Sequence, residues 1–408
     1  MLVALTTHPI QYQVPIWKAL AARQTVPFQV WFMSRHGLEA RQDSGFRRSV
    51  AWDIDLLGGY DYQFIDVFER GRQDSFSWLT LKSGFRRRLR EVGANALWLQ
   101  GWQVMAYWQA AYLARASGVQ IWLRAETNLG SANQQQKSFL KTSIRRNLLQ
   151  NVDRFLTIGT RNRAFYISQG LDFSRLSFAP YGVDNSRFSA HEHVLRAQRV
   201  TLRRNWGIDD DAFVVLFVGK LQHKKRPFDI VEALSLLKRS RPQLNIHSLW
   251  AGSGELDDAL RARLKIVFDV NSPGTLSRRD DKLPQASFLG FVNQTKIAEV
   301  YVAADCLVLP SDADETWGLV VNEAMACGVP CVVSDGCGCS DDLVRPLRPD
   351  LCFPVGDTEA LSRALEAVIV KPPRREDLDA QVLKYDCLRT VEAIEGLYWS
   401  TQPTSAAE

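Results

Sequence analysis

The sequence lacks the features of several specialised protein classes. Its 408 residues contain no apolar run near the ~20 residues that a membrane-spanning helix requires. The opening stretch MLVALTTHPIQYQ has no basic start and soon turns polar, which favours a first strand over a signal peptide. No cysteine precedes Cys306, and the seven present are irregularly spaced. We therefore expect a reduced, cytoplasmic protein without a disulfide framework.

A zinc-binding pattern is also missing. Cys337-Gly338-Cys339 has neither a second cysteine pair nor a neighbouring histidine to complete four ligands. With 46% hydrophobic and 23% charged residues, the composition is that of an ordinary globular protein.

Charge is distributed unevenly along the chain. The net charge is +5, but residues 1–190 carry +11 and the remainder carries −6. The basic half suits an anionic surface or substrate. The difference in net charge predicts that the two halves bind different partners.

Short apolar runs alternate with longer amphipathic segments. The runs predict buried strands, and segments such as 14–23 and 102–117 have helical periodicity. This alternation predicts an α/β fold with two doubly wound, Rossmann-like domains facing each other across a cleft. The predicted strands are LVALTT, FQVWFM, ALWLQ and QIWLRAE in the first half, and FVVLFVG, NIHSLWAG, ASFLGFV, CLVLPS and PCVVSD in the second. We predict domains over 1–190 and 191–385, with a helix and tail over 386–408 packing back toward the first.

The stretch SDADETWGLVVNEAMACGVPCVVSD, residues 311–335, predicts a ligand site. A strand precedes it, residues 312–316 form the loop at the strand's carboxyl end, and residues 317–327 form a helix. The first amides of that helix, those of Gly318, Leu319 and Val320, suit an anion such as a diphosphate. Glu315 and Glu323 would then accept hydrogen bonds from hydroxyls on either side of the phosphates.

A basic loop supplies the cations that such a ligand needs. The stretch FVGKLQHKKRPFDIVEAL has the strand–glycine–helix form of a nucleotide site, with Lys220 and Lys225 after Gly219. On its own this loop is weak evidence, since basic residues also start many solvated helices. Together with the acidic helix start, it is a specific constellation.

These motifs resemble the family 4 glycosyltransferases, retaining enzymes of the GT-B fold. ETWGLVVNEAMACGVPCVVSD is similar to their signature of two glutamates separated by seven residues. VGKLQHKKRP resembles their diphosphate-binding loop, APYGVDNSRF their interdomain connection and AGSGEL their next strand end. The resemblance extends over most of the chain and is strongest from residue 178 to 342.

The resemblance implies a role for each matching residue. Glu315 contacts hydroxyls of the transferred sugar, and Glu323 holds the ribose of the nucleotide. Lys220, where the family often has arginine, and Lys225 neutralise the departing diphosphate. The backbone of Phe291 and Val292 frames the base. The acidic pair in Asp312-Ala313-Asp314 falls within the family's loop, so we expect neither metal dependence nor another cofactor.

The amino-terminal half departs from the family pattern. Its first loop is THPIQYQVP instead of glycine-rich, and it places His8 and Gln11 at the cleft. A histidine there is more often an acceptor contact or a structural hydrogen bond than a base. Gln100 stands at a strand end where relatives often have a histidine near the donor sugar, and an amide cannot act as a base. Arg124 and Glu126, at another strand end, either form an ion pair that holds their loop or bind the acceptor.

We therefore expect retaining, hexosyltransferase-type glycosyl transfer. The resemblance implies a nucleotide-sugar donor and a glycan or lipid-linked acceptor, such as a cell-surface polysaccharide precursor. An anionic membrane surface is a further possible partner for the basic stretches FRRRLR and KTSIRRN, and no nucleic acid is expected. The alternatives are a nucleotide-sugar epimerase of the same fold and a non-enzymatic basic binding module.

Overall fold

The secondary structure alternates strands and helices through most of the chain. The computed structural model describes residues 1–43, 45–71, 75–130, 146, 148–271 and 285–402. The strands are β1 (Leu2–Thr6), β2 (Phe28–Phe32), β3 (Arg41–Asp43), β4 (Arg48–Val50), β5 (Tyr62–Phe64), β6 (Val67–Glu69), β7 (Leu79–Leu81), β8 (Ala96–Leu99), β9 (Gln120–Leu123), β10 (Arg154–Thr157), β11 (Leu176–Phe178), β12 (Phe213–Val218), β13 (Ile246–Ala251), β14 (Asp269–Asn271), β15 (Gln285–Gly290), β16 (Cys306–Leu309), β17 (Cys331–Ser334) and β18 (Cys352–Phe353). The helices are α1 (Val14–Arg23), α2 (Phe85–Glu91), α3 (Met105–Arg115), α4 (Thr160–Ser168), α5 (Asn185–Ala197), α6 (Arg199–Asn205), α7 (Pro227–Ser240), α8 (Asp257–Val267), α9 (Ile297–Ala303), α10 (Leu319–Ala326), α11 (Thr358–Val370), α12 (Arg375–Val382) and α13 (Cys387–Ser400).

The chain divides into two compact units. Unit 1 comprises Met1–Glu39, Ile54–Tyr181 and the chain from Asp386 onward, and unit 2 comprises Ala40–Asp53 and Gly182–Tyr385. The division after Tyr181 precedes the predicted boundary by nine residues. Residues 40–53, which the prediction assigned to the first domain, belong to unit 2 because their contacts are with it.

Unit 1 is built on a parallel sheet in the order β11-β10-β9-β8-β1-β2-β5. Every residue of β1 and β8 is buried, as expected for strands covered on both faces. This explains why these strands appear in the sequence as continuous apolar runs. The helix predicted over residues 14–23 is confirmed without a shift at either end.

Unit 2 repeats the plan with the order β14-β15-β13-β12-β16-β17-β18, again parallel. Its central strands β12, β13 and β16 are buried along almost their whole length. The predicted strands of this half are confirmed within about two residues, so the prediction of two Rossmann-like α/β domains is correct.

The last described helix, α13, completes unit 1. It packs against α1 and β11, and its buried face includes Val391, Ile394 and Leu397. Thr390 donates to the carbonyl of Pro180 at 2.5 Å. The core of unit 1 therefore combines residues from near both ends of the sequence.

Candidate functional site

Unit 2 has a topological switch point between β12 and β16. These strands are neighbours, and the chain continues from them toward opposite edges of the sheet. In open α/β sheets, ligands bind beyond the carboxyl ends of the strands at such a point. The loop after β12 carries Gly219, Lys220 and Lys225, and the loop after β16 carries Glu315. The structure therefore brings the two predicted motifs to one place.

Lys225 and Glu315 form an ion pair at this point. The ammonium group of Lys225 donates to Oε2 of Glu315, and each side chain is 14% exposed. Burial alone would raise the pKa of Glu315, but Lys225, with help from Lys224 and Ser311, outweighs it and holds the pKa of the carboxyl below its usual value. Glu315 is therefore an ionised acceptor.

The Glu315 loop is fixed by the backbone of the Cys337-Gly338-Cys339 stretch. The amide of Gly338 donates to the carbonyl of Glu315 at 2.9 Å, and the amide of Cys339 donates to Trp317 at 3.1 Å. A Cβ atom at Gly338 would overlap the carbonyl of Thr316, so the close approach requires glycine. The sequence offered this stretch only as a possible metal motif. Its supporting role depends on a loop–loop contact that local pattern does not encode.

The helix after this loop begins later than predicted. The expected start was residue 317, but α10 begins at Leu319. Gly318 has a φ of +104°, in the left-handed region, and an α-helix cannot include that conformation. Gly318, Leu319 and Val320 still form the first turn, because the amide of Val321 donates to the carbonyl of Gly318 at 2.9 Å.

Glu323 lies one turn further along α10 and has a different environment. It accepts a 2.5 Å hydrogen bond from the hydroxyl of Tyr301, a fully buried residue of α9. Burial raises the pKa of the Glu323 carboxyl, and the hydrogen bond from Tyr301 and the charge of Arg187 offset only part of that rise. Sequence reasoning missed Tyr301 and Arg187. The one signal that could have indicated Tyr301 was its hydroxyl on the buried side of the short helix α9.

The loops after β12, β13 and β15 approach one another closely. The amide of Gly252 donates to the carbonyl of Gly290 at 2.7 Å, and a Cβ atom at Gly252 would overlap the carbonyl of Gly219. Phe291 and Val292 follow directly. The expectation that they end strand β15 is wrong, because the left-handed Gly290, with a φ of +67°, terminates the strand.

Lys220 has a partner that the sequence did not indicate. Its ammonium nitrogen lies 3.0 and 3.1 Å from the two carboxylate oxygens of Asp43 in the 40–53 stretch of unit 2. The two side chains are 35% and 32% exposed. The two predicted phosphate-binding lysines are thus each paired with a carboxylate, Lys220 with Asp43 and Lys225 with Glu315.

Unit 1 has its own switch point, between β1 and β8. His8 follows β1, and its Nδ1 lies 2.9 Å from the hydroxyl of Thr7. Burial, reinforced by His36, lowers the pKa of His8 to about 3. The ring is therefore neutral at physiological pH and suits hydrogen bonding better than proton abstraction. Gln11 lies in the turn that follows and is partly exposed.

Gln100 lies across this switch point, at the end of β8. It is only 7% exposed, and among the described residues neither Oε1 nor Nε2 of its side chain has a hydrogen-bond partner. Buried polar groups in proteins are nearly always hydrogen-bonded, and an unsatisfied one costs about 1–3 kcal/mol. Gln100 therefore has unused hydrogen-bonding capacity at a ligand-binding position of the fold.

Arg124 and Glu126, after β9, do not bond to each other. Glu126 accepts from the hydroxyls of Tyr181 at 2.5 Å and Tyr12 at 3.5 Å. Arg124 donates to the carbonyl of Pro180 at 3.3 Å, and its guanidinium lies 4.9 Å from the centre of the Tyr181 ring. Burial raises the pKa of both tyrosines and lowers that of Arg124. Of the two alternatives, the ion pair is thus replaced by a tyrosine-bound carboxylate and a backbone-bound guanidinium, and acceptor binding stays a prediction.

Three arginines of the basic helix α2 already have partners within the protein, which its sequence did not indicate. Arg86 donates to the carbonyl of Ala116 at 2.8 Å, and Arg88 pairs with Asp66 at 2.8 Å. Arg87 lies 3.3 Å from Glu91. Lys141 and Arg145 of the second basic stretch lie outside the described residues.

Within the part of the chain that the structure describes, no helix has both the length and the apolar character that crossing a bilayer requires. Nor do these described residues include a group of three or more His, Cys, Asp or Glu side chains arranged to hold a metal ion.

Comparison with protein families matches residues 198–384 to glycosyl transferases group 1. A D-inositol 3-phosphate glycosyltransferase from Pseudarthrobacter chlorophenolicus is 35% identical over 211 residues, which are 51% of this chain and 45% of the relative. The chain thus spans about half the length of the curated relatives it matches.

Comparison with solved structures covers nearly the whole chain. The HepE protein of Anabaena, solved in complex with UDP, has a TM-score of 0.70 at 15% identity, covering 98% of this chain and all of that one. WaaG, a glycosyltransferase involved in lipopolysaccharide biosynthesis, has a TM-score of 0.63 at 16% identity, covering 97% of this chain and 99% of its own. These similarities confirm the predicted GT-B fold.

Proposed function

Because residues 198–384 match the model of the group 1 glycosyl transferases, we propose that the protein is a retaining, hexosyltransferase-type glycosyltransferase. It takes its sugar from a nucleoside diphosphate sugar and transfers it to a hydroxyl group. The observation that carries the proposal is the buried pair of Lys225 and Glu315 at the switch point of unit 2. A cation for phosphate and a carboxylate for sugar hydroxyls stand side by side there.

In the proposed donor complex, each group keeps a distinct task. Lys220 and Lys225 contact the diphosphate at the first turn of α10, and Glu315 accepts hydrogen bonds from the transferred sugar. Glu323, held by Tyr301, accepts from the ribose. Phe291 and Val292 frame the base. The UDP bound to the HepE protein supports a diphosphate nucleotide as the ligand class.

Catalysis then depends on stabilising the leaving group. The bond between the anomeric carbon and the diphosphate oxygen breaks while a new bond to the acceptor oxygen forms on the same face of the sugar. The acceptor's proton passes to the departing phosphate, so no protein base is needed. Each contact to the developing negative charge contributes about 2–4 kcal/mol to the barrier reduction. We propose no metal or other cofactor for this step.

In this proposal, unit 1 binds the acceptor. Its candidate contacts are His8, Gln11, Gln100, Arg124 and Glu126 at the strand ends. Neutral His8 and the unsatisfied amide of Gln100 suit the uncharged hydroxyls of a glycan. The involvement of WaaG in lipopolysaccharide biosynthesis supports a lipid-linked or cell-surface glycan precursor as the acceptor class.

Reversible attachment to an anionic leaflet on the cytoplasmic side forms part of the same proposal. Its support is the +11 charge of residues 1–190. Since Arg86, Arg87 and Arg88 already have partners within unit 1, we expect each to contribute less than the ~1 kcal/mol of a free basic residue near an anionic surface. Co-sedimentation with anionic and neutral vesicles at two salt concentrations tests this. Equal recovery with both vesicle types would remove the membrane part and leave glycosyl transfer untouched.

The central test separates the roles of the two glutamates. Nucleotide sugars are first screened by thermal shift, since a ligand at a hundred times its Kd adds about 2.7 kcal/mol of stability. With the donor found, Glu323→Ala is expected to weaken nucleotide binding, and Glu315→Ala to depress turnover more than nucleotide affinity. Glu359→Ala, on the exposed start of α11, is the control.

Product analysis decides between reaction classes. Transfer with retention predicts an acceptor-dependent product whose anomeric configuration, read by NMR, matches that of the donor. Interconversion of the donor without any acceptor would favour an epimerase. Unchanged nucleotide affinity in Glu323→Ala would remove the ribose assignment.

A further inference from the structure

The stretch of residues 40–53, hereafter the 40–53 segment, folds onto unit 2 beside the proposed donor site. Its strands β3 and β4 pair in antiparallel fashion. The ring of Phe46 lies 4.8 Å from that of Phe291, the residue after β15. Ser253 donates to the carbonyl of Phe46 at 2.9 Å, and Asn293 donates to the carbonyl of Ala51 at 2.7 Å. The segment is therefore anchored to the loops after β13 and β15.

Lys220 is enclosed by this segment. Besides its two contacts to Asp43, its ammonium lies 4.8 Å from the centre of the Phe46 ring. Gly45 leaves room for it: a Cβ atom there would lie 2.6 Å from Cδ and 2.8 Å from Nζ of Lys220. A charge pair, a cation–π contact and a glycine thus hold one lysine side chain in one position.

The surroundings of Asp43 favour its ionised form. Its Oδ1 accepts from the amides of Gly45 at 2.8 Å and Phe46 at 2.9 Å, which fixes the carboxylate toward Lys220. Burial works against ionisation of this group, but these amides and Lys220 outweigh it and lower the pKa of Asp43. Two oxygens of an ionised carboxylate therefore face the ammonium as two oxygens of a phosphate would.

We propose that Asp43 is a built-in competitor of the donor, holding on Lys220 the position that a phosphate of the diphosphate takes. The inference rests on the proposed function, in which Lys220 binds the diphosphate. Binding then exchanges one anion for another at Lys220, and the return of Asp43 helps the nucleoside diphosphate product to leave. A carboxylate with one charge, about one-third exposed, is weak enough for a diphosphate to displace it.

The opposite possibility is that Asp43 orients Lys220 for the ligand. The two roles predict opposite signs: removing a competitor tightens diphosphate binding, whereas removing a positioning group weakens it. Asp43→Asn suits the test because the amide oxygen can still accept from Gly45 and Phe46 and preserve the turn. Gly45→Ala acts independently, since the added methyl displaces the flexible end of Lys220 without changing any charge.

The experiment is calorimetric titration of the full chain with inorganic pyrophosphate and with UDP. Pyrophosphate carries the diphosphate without a base, so it tests the lysine site whichever base the donor carries. We expect Kd to fall about fivefold in Asp43→Asn, as for loss of a competing ion pair of partly exposed groups. Gly45→Ala should change Kd in the same direction. The control Asp53→Asn removes an equal charge from the same segment, where the carboxylate accepts from the amide of Thr295, and should leave Kd within about twofold.

The outcomes separate this inference from the proposed function. Tighter binding in Asp43→Asn and Gly45→Ala, with Asp53→Asn unchanged, supports the competitor. Weaker or unchanged binding in both variants, or an equal gain in Asp53→Asn, overturns the competitor. If Lys220→Met loses binding in the same experiment, the diphosphate site of the proposed function still stands. No binding by the unaltered chain, or unaltered binding in Lys220→Met, would overturn the site and this inference together.

Discussion

The switch points of the two units share a topology but differ in chemistry. In unit 2, the strand ends carry carboxylates and ammonium groups joined as Lys225–Glu315 and Lys220–Asp43. In unit 1, the corresponding positions carry the neutral ring of His8 and the amide of Gln100. One plan of sheet and loops thus supports an ionic switch point in one unit and a neutral switch point in the other.

The difference shows how burial acts on each kind of group. Burial disfavours a charge, and a nearby opposite charge restores it. Glu315 stays ionised because Lys225 is beside it. Burial and His36 both lower the pKa of His8, so its ring stays neutral. A ligand with several negative charges suits the first environment, and a ligand with hydroxyl groups suits the second.

The largest expected effect comes from removing the buried cation of unit 2. Lys225→Met keeps much of the apolar stem but leaves Glu315 without its partner, and turnover should fall about hundredfold. The pKa of Glu315 should also rise, which moves the acid limb of the turnover–pH profile to higher pH. Lys224→Met removes an equal charge at the neighbouring, exposed position. Equal losses in the two variants would show that the ionic site acts only through its overall charge.

The second effect concerns the neutral switch point of unit 1. Gln100→Leu replaces an amide without a partner among the described residues by an apolar group of similar size. The free energy of unfolding should rise by about 1 kcal/mol while turnover falls about tenfold. Gln103→Leu is the control, since the Gln103 side chain already accepts from the amide of Trp102 at 3.0 Å. A variant with normal turnover would remove Gln100 from the acceptor site.

A smaller effect should follow from removing one hydroxyl behind the ionic site. Tyr301→Phe deletes the hydrogen bond to Glu323, and nucleotide affinity measured by calorimetry should fall about fivefold. Tyr385→Phe deletes a hydroxyl bonded to the carboxylate of Asp342 in the same unit. If both variants lost affinity equally, Tyr301 would act through the stability of unit 2 and not through Glu323.

The smallest effect tests the neutral state of His8. The pKa of His8 in the folded protein is about 3, below the usual 6.5. At pH values between these two, the unfolded chain binds a proton on His8 that the folded protein does not bind. Stability should therefore fall as pH drops through that range. His8→Gln should reduce the loss between pH 7 and pH 5 by about 1 kcal/mol, a value lowered for the partial exposure of the ring. Thermal unfolding at the two pH values measures it, with His223→Gln in unit 2 as the control. An unchanged loss would show that the pKa of His8 is not lowered by folding.

The sequence predicted those features that local pattern determines. Buried parallel strands are continuous apolar runs, so β1, β12 and β16 could be placed within about two residues, and the loops at their ends followed. Glu315, Lys225 and Glu323 were found because they belong to those loops or to the helix after them. The partners of the site were missed, since Asp43 and Lys220 are 177 residues apart and Tyr301 is separated from Glu323 by a strand and a loop. Pairings of that kind depend on the folded arrangement and leave no periodic signal.

The position of α13 has a consequence for the order in which the chain folds during synthesis. The face of α13 that includes Val391 and Ile394 covers unit 1, and Thr390 bonds to Pro180. A ribosome makes the parts of unit 1 that precede residue 182 first, but unit 1 cannot bury its whole core until residues 387–400 have emerged. Residues 182–385, which form most of unit 2, are translated in the meantime. The first unit to be started is therefore the last to be completed, and its apolar surface on α1 and β11 must wait for most of the chain.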